Sequence, residues 1–145
     1  MESTTSSTLP RGLRNNNPLN LRRTSSAWLG LLGRHEVKQW DEEFCQFANI
    51  EWGIRAAAIT MRTYIKKYRL NTVQSIIMRW APPTENNTSA YLATVSAHLT
   101  FSALEPLRWE QRDRICALLR AMAYVETGQW LFMDTVKRGY DLAIR

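Results

Sequence analysis

The sequence predicts a mainly α-helical domain with a small irregular or β-hairpin lobe at its N-terminal end. Apolar residues recur at three- and four-residue spacing after residue 48, which is typical of helices. Residues 11–33 instead carry Asn, Pro and Gly without a sustained period. The chain of 145 residues is long enough for one domain with a real core. We therefore expect a single domain over residues 11–145, preceded by a polar, disordered tail of residues 1–10.

The N-terminal lobe is expected to contain little regular structure. Residues 11–33 are expected to form a structured loop that includes at most a short strand. Residues 34–48 contain EFCQF, an apolar run typical of a strand, directly after WDEE, which favours a turn. This order predicts a small β-hairpin.

About five helices are expected after this lobe. The first begins after the N-cap candidate Asn49 and buries a stripe that runs from Ile54 to Tyr68. The second spans residues 72–80, because the prolines that follow cannot continue a helix. The others run from about residue 88 to 99, from about 109 to 125 and from about 133 to 144.

Charge and composition restrict the class of partner and the route of the protein. There are 19 Lys and Arg against 13 Asp and Glu, a net charge of +6, which favours an anionic partner. No segment resembles a secretory signal or a membrane span, so we expect synthesis in the cytoplasm without a signal peptide. Action in the cell envelope or periplasm then requires another route, such as carriage in a virion. The Cys and His residues fit no metal spacing, and we expect no metal or cofactor.

Glu126 is the candidate catalytic residue because it continues an apolar row on the helix before Gly128. Ile115, Leu119 and Met122 are spaced i, i+4 and i+7, and Glu126 is i+11 in the same row. Partial burial and the negative end of the helix dipole both oppose ionisation, and so raise the pKa of such a carboxyl group. A raised pKa favours a general acid near neutral pH. The alternative is a solvated glutamate at a frayed helix end.

The segment VETGQ, in which Thr127 follows Glu126, resembles the catalytic turn of the lysozyme superfamily. In lytic transglycosylases and bacterial glucosaminidases an apolar helix ends in Glu-Ser or Glu-Thr followed by Gly, and that Glu protonates the glycosidic oxygen. The segments NNNPLNLRR, SAWLGL and EEFCQFANIEWGIRAAAITMRTY resemble those that follow this Glu in the glucosaminidases. Because the Glu-bearing helix comes late here, the resemblance implies a circularly permuted, α+β lysozyme-like domain with neighbouring termini.

Motifs along almost the whole chain also resemble a family of small phage and prophage proteins. These motifs are PRGLRNNNPLNLRR, WGIRAA, TYIKKY, RWAPPTENNTSAY and AMAYVETG. Members are labelled virion structural or P5-like structural proteins, and several small virion proteins of phages degrade cell walls. By analogy, the resemblance implies a wall-degrading protein.

A two-carboxylate glycosidase needs a second acid besides Glu126. Asp41 is the first choice, because the family pattern has an acid before the F-x-Q-F stretch. Glu85, in APPTENNT, is retained for its place in the same pattern. Surface charge is the alternative for Asp41, and a favourable position at a helix start is the alternative for Glu85. A transglycosylase needs no second carboxylate, because the N-acetyl group of the sugar can assist.

Substrate contacts are expected first from the amide-rich stretch after Arg11, which contains Arg14, Asn15, Asn16, Asn17 and Asn20. Amides bind the N-acetyl and hydroxyl groups of a sugar without placing a charge beside the acid. Asparagine also forms turns and adopts left-handed conformations. We favour a combined interpretation, in which Asn16 and Asn17 shape a loop that faces Glu126. The arginines hold a stem-peptide carboxylate or pair with acids of the fold.

The aromatic residues Trp28, Tyr91 and Trp130 are the candidates for stacking on sugar rings. A place in the buried core is the alternative for each of them. Trp130 follows the VETGQ turn directly, and is therefore expected to lie nearest to the acid.

Three functions remain open from the sequence. The first is a peptidoglycan-cleaving muramidase, glucosaminidase or lytic transglycosylase. It would act from a phage particle, a lysis system or an interbacterial secretion system. Its substrate would be peptidoglycan, and its protein partners would be an inhibitor or immunity protein, or components of the virion or secretion system. The second is a non-catalytic virion or secretion-apparatus component that binds glycan or protein. The third is a nucleic-acid-binding protein, supported by charge and aromatics alone, so no nucleic-acid partner is expected.

Overall fold

The computed structural model of the protein describes residues 9–145, so residues 1–8 of the tail predicted for residues 1–10 lie outside that part. The predicted closeness of the two termini involves these residues and therefore also lies outside the described part. Within the described part, the α-helices are α1 Arg11–Arg14, α2 Ile50–Lys66, α3 Val73–Trp80, α4 Thr88–Ala97, α5 Arg112–Thr127 and α6 Met133–Ala143. The mainly helical class is confirmed. None of these helices is long and apolar enough to cross a membrane.

Side-chain caps begin three of the long helices, among them the predicted cap Asn49. Asn49 accepts a hydrogen bond from the Trp52 backbone N–H at 3.0 Å, which satisfies one of the unpaired donors at the start of α2. Thr72 and Ser75 form a capping box at the start of α3. Asn87 accepts from the Ala90 N–H at 3.1 Å before α4.

The predicted start of the next helix, near residue 109, is corrected to Arg112. Trp109 is buried in the segment before α5, and its ring lies 4.8 Å from that of Tyr140 on α6. The Tyr140 hydroxyl donates to the Trp109 carbonyl oxygen at 2.8 Å. This carbonyl therefore has a tertiary partner in place of the helical one.

The β-hairpin predicted for residues 34–48 is wrong. Residues 34–36 form a 3-10 turn, and within residues 9–145 the β pairing consists of two isolated bridges, Arg22 with Phe44 and Leu31 with Phe47. The Asp41 carboxylate accepts the backbone N–H groups of Glu43 and Phe44, each at 2.9 Å. Local side-chain bonds of this kind compete with a strand ladder, so the lobe is irregular.

The core is formed mainly by α2, α5 and α6, with α4 packed along α5. Its largest fully buried side chains on the helices include Ile54, Met61, Ile76, Leu118 and Met122. Gly139 on α6 allows close approach to α2, because a Cβ at this position would lie 2.4 Å from Ile54 Cγ2. A smaller cluster of Cys45, Phe47 and Ala56 anchors the N-terminal lobe to α2.

The amide-rich loop meets the first turn of α2 at Gly53. A Cβ on Gly53 would lie 1.9 Å from the Asn16 carbonyl oxygen, far inside any real contact. The loop backbone is thus seated directly against the helix, at a distance that only glycine permits.

We expect Gly53→Ala to lower the free energy of unfolding by about 3 kcal/mol, because the colliding atom belongs to the backbone and cannot rotate away. The measurement is chemical denaturation of the purified variant. Gly33→Ala is the control, since Gly33 has extended backbone angles and its added Cβ would lie 3.3 Å from the end of the flexible Glu36 side chain. Equal stability of the two variants would contradict the close approach at Gly53.

Candidate active site

Glu126 lies in the last turn of α5, in line with the buried side chains of Ile115, Leu119 and Met122. The helix ends immediately afterwards at Gly128, whose φ of 74° is the left-handed conformation that stops helices. The Glu126 side chain is half-buried. The carboxyl group therefore emerges from the apolar stripe at the boundary between core and solvent.

Two neutral donors hold the Glu126 carboxylate. The Asn20 amide nitrogen donates to Oε1 at 3.0 Å, and the Tyr91 hydroxyl donates to Oε2 at 2.9 Å. Asn20 belongs to the amide-rich loop and Tyr91 to α4. The carboxyl group is thus clamped by two separate segments, both of which precede α5 in the chain.

Burial raises the pKa of Glu126, and the hydrogen bonds from Asn20 and Tyr91 oppose this effect without overcoming it. Burial also raises the pKa of the Tyr91 hydroxyl, with a further contribution from the neighbouring carboxylate. Tyr91 therefore stays protonated and remains a donor. The arrangement favours a carboxyl group that keeps its proton to a higher pH than an exposed glutamate does.

The four asparagines have different tasks. Asn17 is fully buried and bonds the backbone of Leu21 in both directions, and also donates to the Cys45 carbonyl at 3.0 Å. Asn16 donates to the Phe47 carbonyl at 3.0 Å. Asn15 donates to Asp41 at 2.9 Å. Asn16 and Asn17 are predicted to shape a loop that faces Glu126, and the residue of this loop that bonds Glu126 is Asn20.

Backbone conformation explains why asparagine recurs in this loop. Asn16 and Asn20 both have φ of 52°, in the left-handed region that asparagine tolerates better than other residues with a Cβ. The loop turns sharply at both positions. The second turn directs the Asn20 side chain to Glu126.

Thr127 and Gly12 join the loop to the end of α5. A Cβ on Gly12 would lie 3.3 Å from Thr127 Cγ2, and 2.9 Å from both the Asn17 carbonyl oxygen and Asn20 Oδ1. The buried Thr127 hydroxyl donates to the Ala123 carbonyl at 2.8 Å. Thr127 therefore helps to seat the loop and has its hydroxyl occupied within the helix.

Asp41, the first candidate for a second carboxylate, is held in a network of its own. Arg11 binds both of its oxygens, at 2.7 and 2.8 Å, and Asn15 and two backbone N–H groups donate as well. Burial alone would raise the pKa of Asp41, but these hydrogen bonds hold it well below its usual range. Asp41 is therefore ionised at neutral pH and holds Arg11 and Asn15 in place.

Glu85, the other candidate acid, is exposed near the start of α4. Its closest cationic partner is Arg22, at 3.8 Å, and Arg22 also reaches Glu43 at 3.3 Å. Arg22 lies two residues beyond Asn20, so this pair connects the same two segments that clamp Glu126. Neither Glu85 nor Asp41 is hydrogen-bonded to Glu126.

The remaining candidates lie at separate places. Trp28 packs against the small cluster around Phe47. Arg14 is exposed and lines a cavity of about 880 Å³, together with Asn15, Asn16 and Asp41. Trp130 stacks on Tyr124 with ring centroids 4.2 Å apart. Tyr124 points about 160° away from Glu126 around α5, so Trp130 covers the other side of the helix.

Several residues that build the site are absent from the sequence-based candidates. Gly12 and Gly53 fix the position of the loop, and Gln46 donates to the Asn15 amide oxygen at 3.3 Å. Tyr91 is predicted as a stacking platform, yet it acts as a hydrogen-bond donor. A glycine inside a helical pattern, as at Gly53, is the one local signal of close backbone approach.

No protein-family model matches the chain. It is 37% identical over 132 residues to Protein P5 of Pseudoalteromonas phage PM2, and the alignment covers 90% of this chain and 80% of that protein. The likeness identifies a phage-type protein, in agreement with the motifs of the sequence. The chain belongs to the family of phage protein P5.

We expect Glu126→Gln to be more stable than the natural protein at neutral pH. A raised pKa in the folded state means that ionised Glu126 opposes folding. This cost is absent below the pKa of the unfolded chain, and grows as pH rises through the folded-state pKa. Unfolding followed between pH 4 and pH 8 should therefore show an advantage of the variant that vanishes at the acidic end. A pH-independent difference would contradict it.

We expect Asp41→Ala to lose about 3 kcal/mol of stability, because the buried Asn15 amide loses its acceptor and Arg11 its bidentate partner. The pKa of Asp41 is lowered, so its contribution is complete above the unfolded-state pKa and is lost as pH falls from there through the folded-state pKa. Glu43→Ala removes an exposed partner of the same Arg11, and should cost less than about 1 kcal/mol. Urea unfolding of both variants measures the contrast, and equal losses would refute the anchoring role.

Proposed function

We propose that this protein cleaves the glycan strands of peptidoglycan as a lysozyme-like enzyme, with Glu126 as the general acid. The observation that carries the proposal is the half-buried Glu126 carboxyl group, whose pKa is raised and whose two oxygens accept from Asn20 and Tyr91. A carboxyl group at the end of an apolar helix, beside neutral donors, meets the requirements of glycosidic-bond protonation. The net charge of +6 is also favourable for an anionic wall.

In the proposed reaction, protonated Glu126 gives its proton to the glycosidic oxygen. The bond between that oxygen and the anomeric carbon breaks, and its electron pair stays on the departing oxygen. The carboxylate left behind is stabilised by the Asn20 and Tyr91 donors. It then accepts a proton from the water or sugar hydroxyl that attacks the anomeric carbon, which restores the acid.

The surroundings of the other acids favour a version with one essential carboxylate. Every hydrogen bond on Asp41 comes from within the N-terminal lobe, and Glu85 is exposed and faces Arg22. The N-acetyl group of the substrate would then stabilise the positive charge that develops at the anomeric carbon. A lytic transglycosylase or another substrate-assisted enzyme meets this condition. A hydrolase that uses Asp41 or Glu85 has less support.

Kinship with a phage protein supports action from a phage particle or a phage-derived lysis or secretion device. Peptidoglycan would be the substrate, and virion or secretion components, or an inhibitor, would be the protein partners. A circularly permuted lysozyme-like arrangement is part of this proposal. Its support is the order of segments, in which the Glu-bearing helix α5 follows the loop that contacts it.

A second candidate function is a non-catalytic component that binds glycan or protein. The cavity of about 880 Å³ favours it, because the lining contains Arg14, Asn15 and Asn16 but lacks Glu126. Polar and cationic groups would then recognise a ligand at a distance from the candidate acid. Binding to sacculi that survives Glu126→Gln, without release of fragments from the natural protein, would favour this function.

We expect the purified protein to release muropeptides from isolated sacculi, and Glu126→Gln to reduce the rate at least about 100-fold, the usual contribution of a general acid. Chromatography with mass spectrometry of the released fragments measures the rate and shows whether they carry hydrolysed or anhydro ends. Glu110→Gln is the matched control, since Glu110 is exposed and pairs with Lys66. Release that survives Glu126→Gln would remove Glu126 from the mechanism.

A further inference from the structure

Asn20 carries a buried polar atom without a partner. Its amide nitrogen bonds Glu126, but its amide oxygen is sealed from solvent and accepts no hydrogen bond. Within residues 9–145 this is the one buried side-chain nitrogen or oxygen in that condition. An orphaned buried acceptor costs about 1–3 kcal/mol. Such an atom beside the candidate acid calls for a physical explanation.

The wall that faces this oxygen contains an acceptor. Asn20 Oδ1 and the Asn17 carbonyl oxygen both lie 2.9 Å from the point where a Cβ of Gly12 would stand. The Asn17 carbonyl already accepts the Asn20 backbone N–H at 3.0 Å, and a carbonyl oxygen has two lone pairs. The Asn17 carbonyl thus offers a second lone pair on the Gly12 side of Asn20, whereas no donor there reaches the Asn20 amide oxygen.

The ionisation state of Glu126 determines whether it bonds the N–H₂ group or the oxygen of the Asn20 amide. A carboxylate has only acceptors, so it requires the N–H₂ group of Asn20. A protonated carboxyl group has an O–H to donate, and the amide oxygen is a good acceptor for it. The two ends of the amide have nearly the same shape, and the last torsion of asparagine is broad and roughly two-fold. A half turn needs little additional space.

We propose that the Asn20 amide makes a half turn when Glu126 changes its protonation state. It donates to the carboxylate when Glu126 is ionised, and it accepts from the O–H when Glu126 is protonated. In the second orientation the amide oxygen gains a donor, and the N–H₂ group turns to the wall at Gly12. The orphaned atom exists only in the ionised state, so the half turn favours the proton-loaded acid.

The titratable and charged groups near Glu126 do not replace Asn20 as the partner of carboxyl oxygen Oε1. Tyr91 on α4 is the titratable side chain in contact with the carboxyl group, and its raised pKa keeps it neutral. On the two segments that clamp Glu126, the charged Arg22 and Glu85 pair with each other. Within the described chain, no charged side chain from α1, α2 or α6 hydrogen-bonds Glu126. At the carboxyl oxygen Oε1 the partner is thus a neutral amide, which can present either a donor or an acceptor, while the Tyr91 hydroxyl bonds Oε2.

The half turn of Asn20 does not depend on enzymatic activity. Its role in catalysis rests on the proposed function, under which Asn20 is a positioning residue. It would aim the Glu126 proton and support both forms of the acid during turnover. This differs from the role of Tyr91, whose hydroxyl bonds the other carboxyl oxygen. The half turn also explains why residue 20, whose φ is 52°, is an asparagine. Glycine would adopt the same backbone turn but has no amide.

The test uses the intact protein with ¹³C and ¹⁵N labels in nuclear magnetic resonance. The Glu126 carboxyl carbon reports its titration, and nuclear Overhauser contacts of the Asn20 side-chain N–H₂ protons report the amide orientation. We expect contacts with the Gly12 Hα protons at low pH, and their replacement by contacts with the Glu126 side chain at high pH. The midpoint should coincide with the carboxyl titration, and Glu126→Gln should abolish the pH dependence.

An amide whose N–H₂ protons stay beside Glu126 at every pH would overturn the inference. So would a reorientation that persists unchanged in folded Glu126→Gln protein, because its cause would then lie elsewhere. The measurement requires no enzymatic activity. A switching amide in a protein that releases no muropeptides would refute the proposed function alone, and a fixed amide in an active protein would refute the switch alone.

Discussion

The close docking of the amide-rich loop is the constraint on which the candidate site depends. The loop is seated against α2 at Gly53, at a distance that excludes any side chain, and Gly12 packs against Thr127 at the end of α5. Asn17 satisfies backbone groups inside the loop, where no water can replace it. Only with the loop in this place does Asn20 reach Glu126. The contact between Asn20 and Glu126 therefore depends on Gly12, Gly53 and the buried amide of Asn17.

Two carboxylates show how this framework separates structural from chemical tasks. Asp41 receives a guanidinium, an amide and backbone N–H groups, and so its pKa falls and it is ionised at neutral pH. Glu126 receives two neutral donors at the edge of an apolar stripe, and burial raises its pKa. The same functional group thus becomes an anchor in one environment and a candidate acid in another. The number and charge of the donors decide the difference.

The sequence predicts the helical part well, because its signals are local. The apolar stripe of α2 and the caps at Asn49, Thr72 and Asn87 act within a few residues of the elements that they define. The N-terminal lobe is different. EFCQF has the composition of a strand, but its backbone groups bond residues 15, 21, 23 and 32, and the Asp41 side chain. No local pattern contains those partners.

The candidate site divides in the same way. The helical period alone places Glu126 at the end of a buried stripe and makes it a candidate. Its partners lie 106 and 35 residues away, so the sequence cannot distinguish Asn20 from Asn16, or a donor from a stacking ring at Tyr91. It follows that the environment of Glu126 exists only when the loop, α4 and α5 are all in place. Local opening of the loop would expose the carboxyl group and return its pKa towards the ordinary value, which links the acid's function directly to the integrity of the fold.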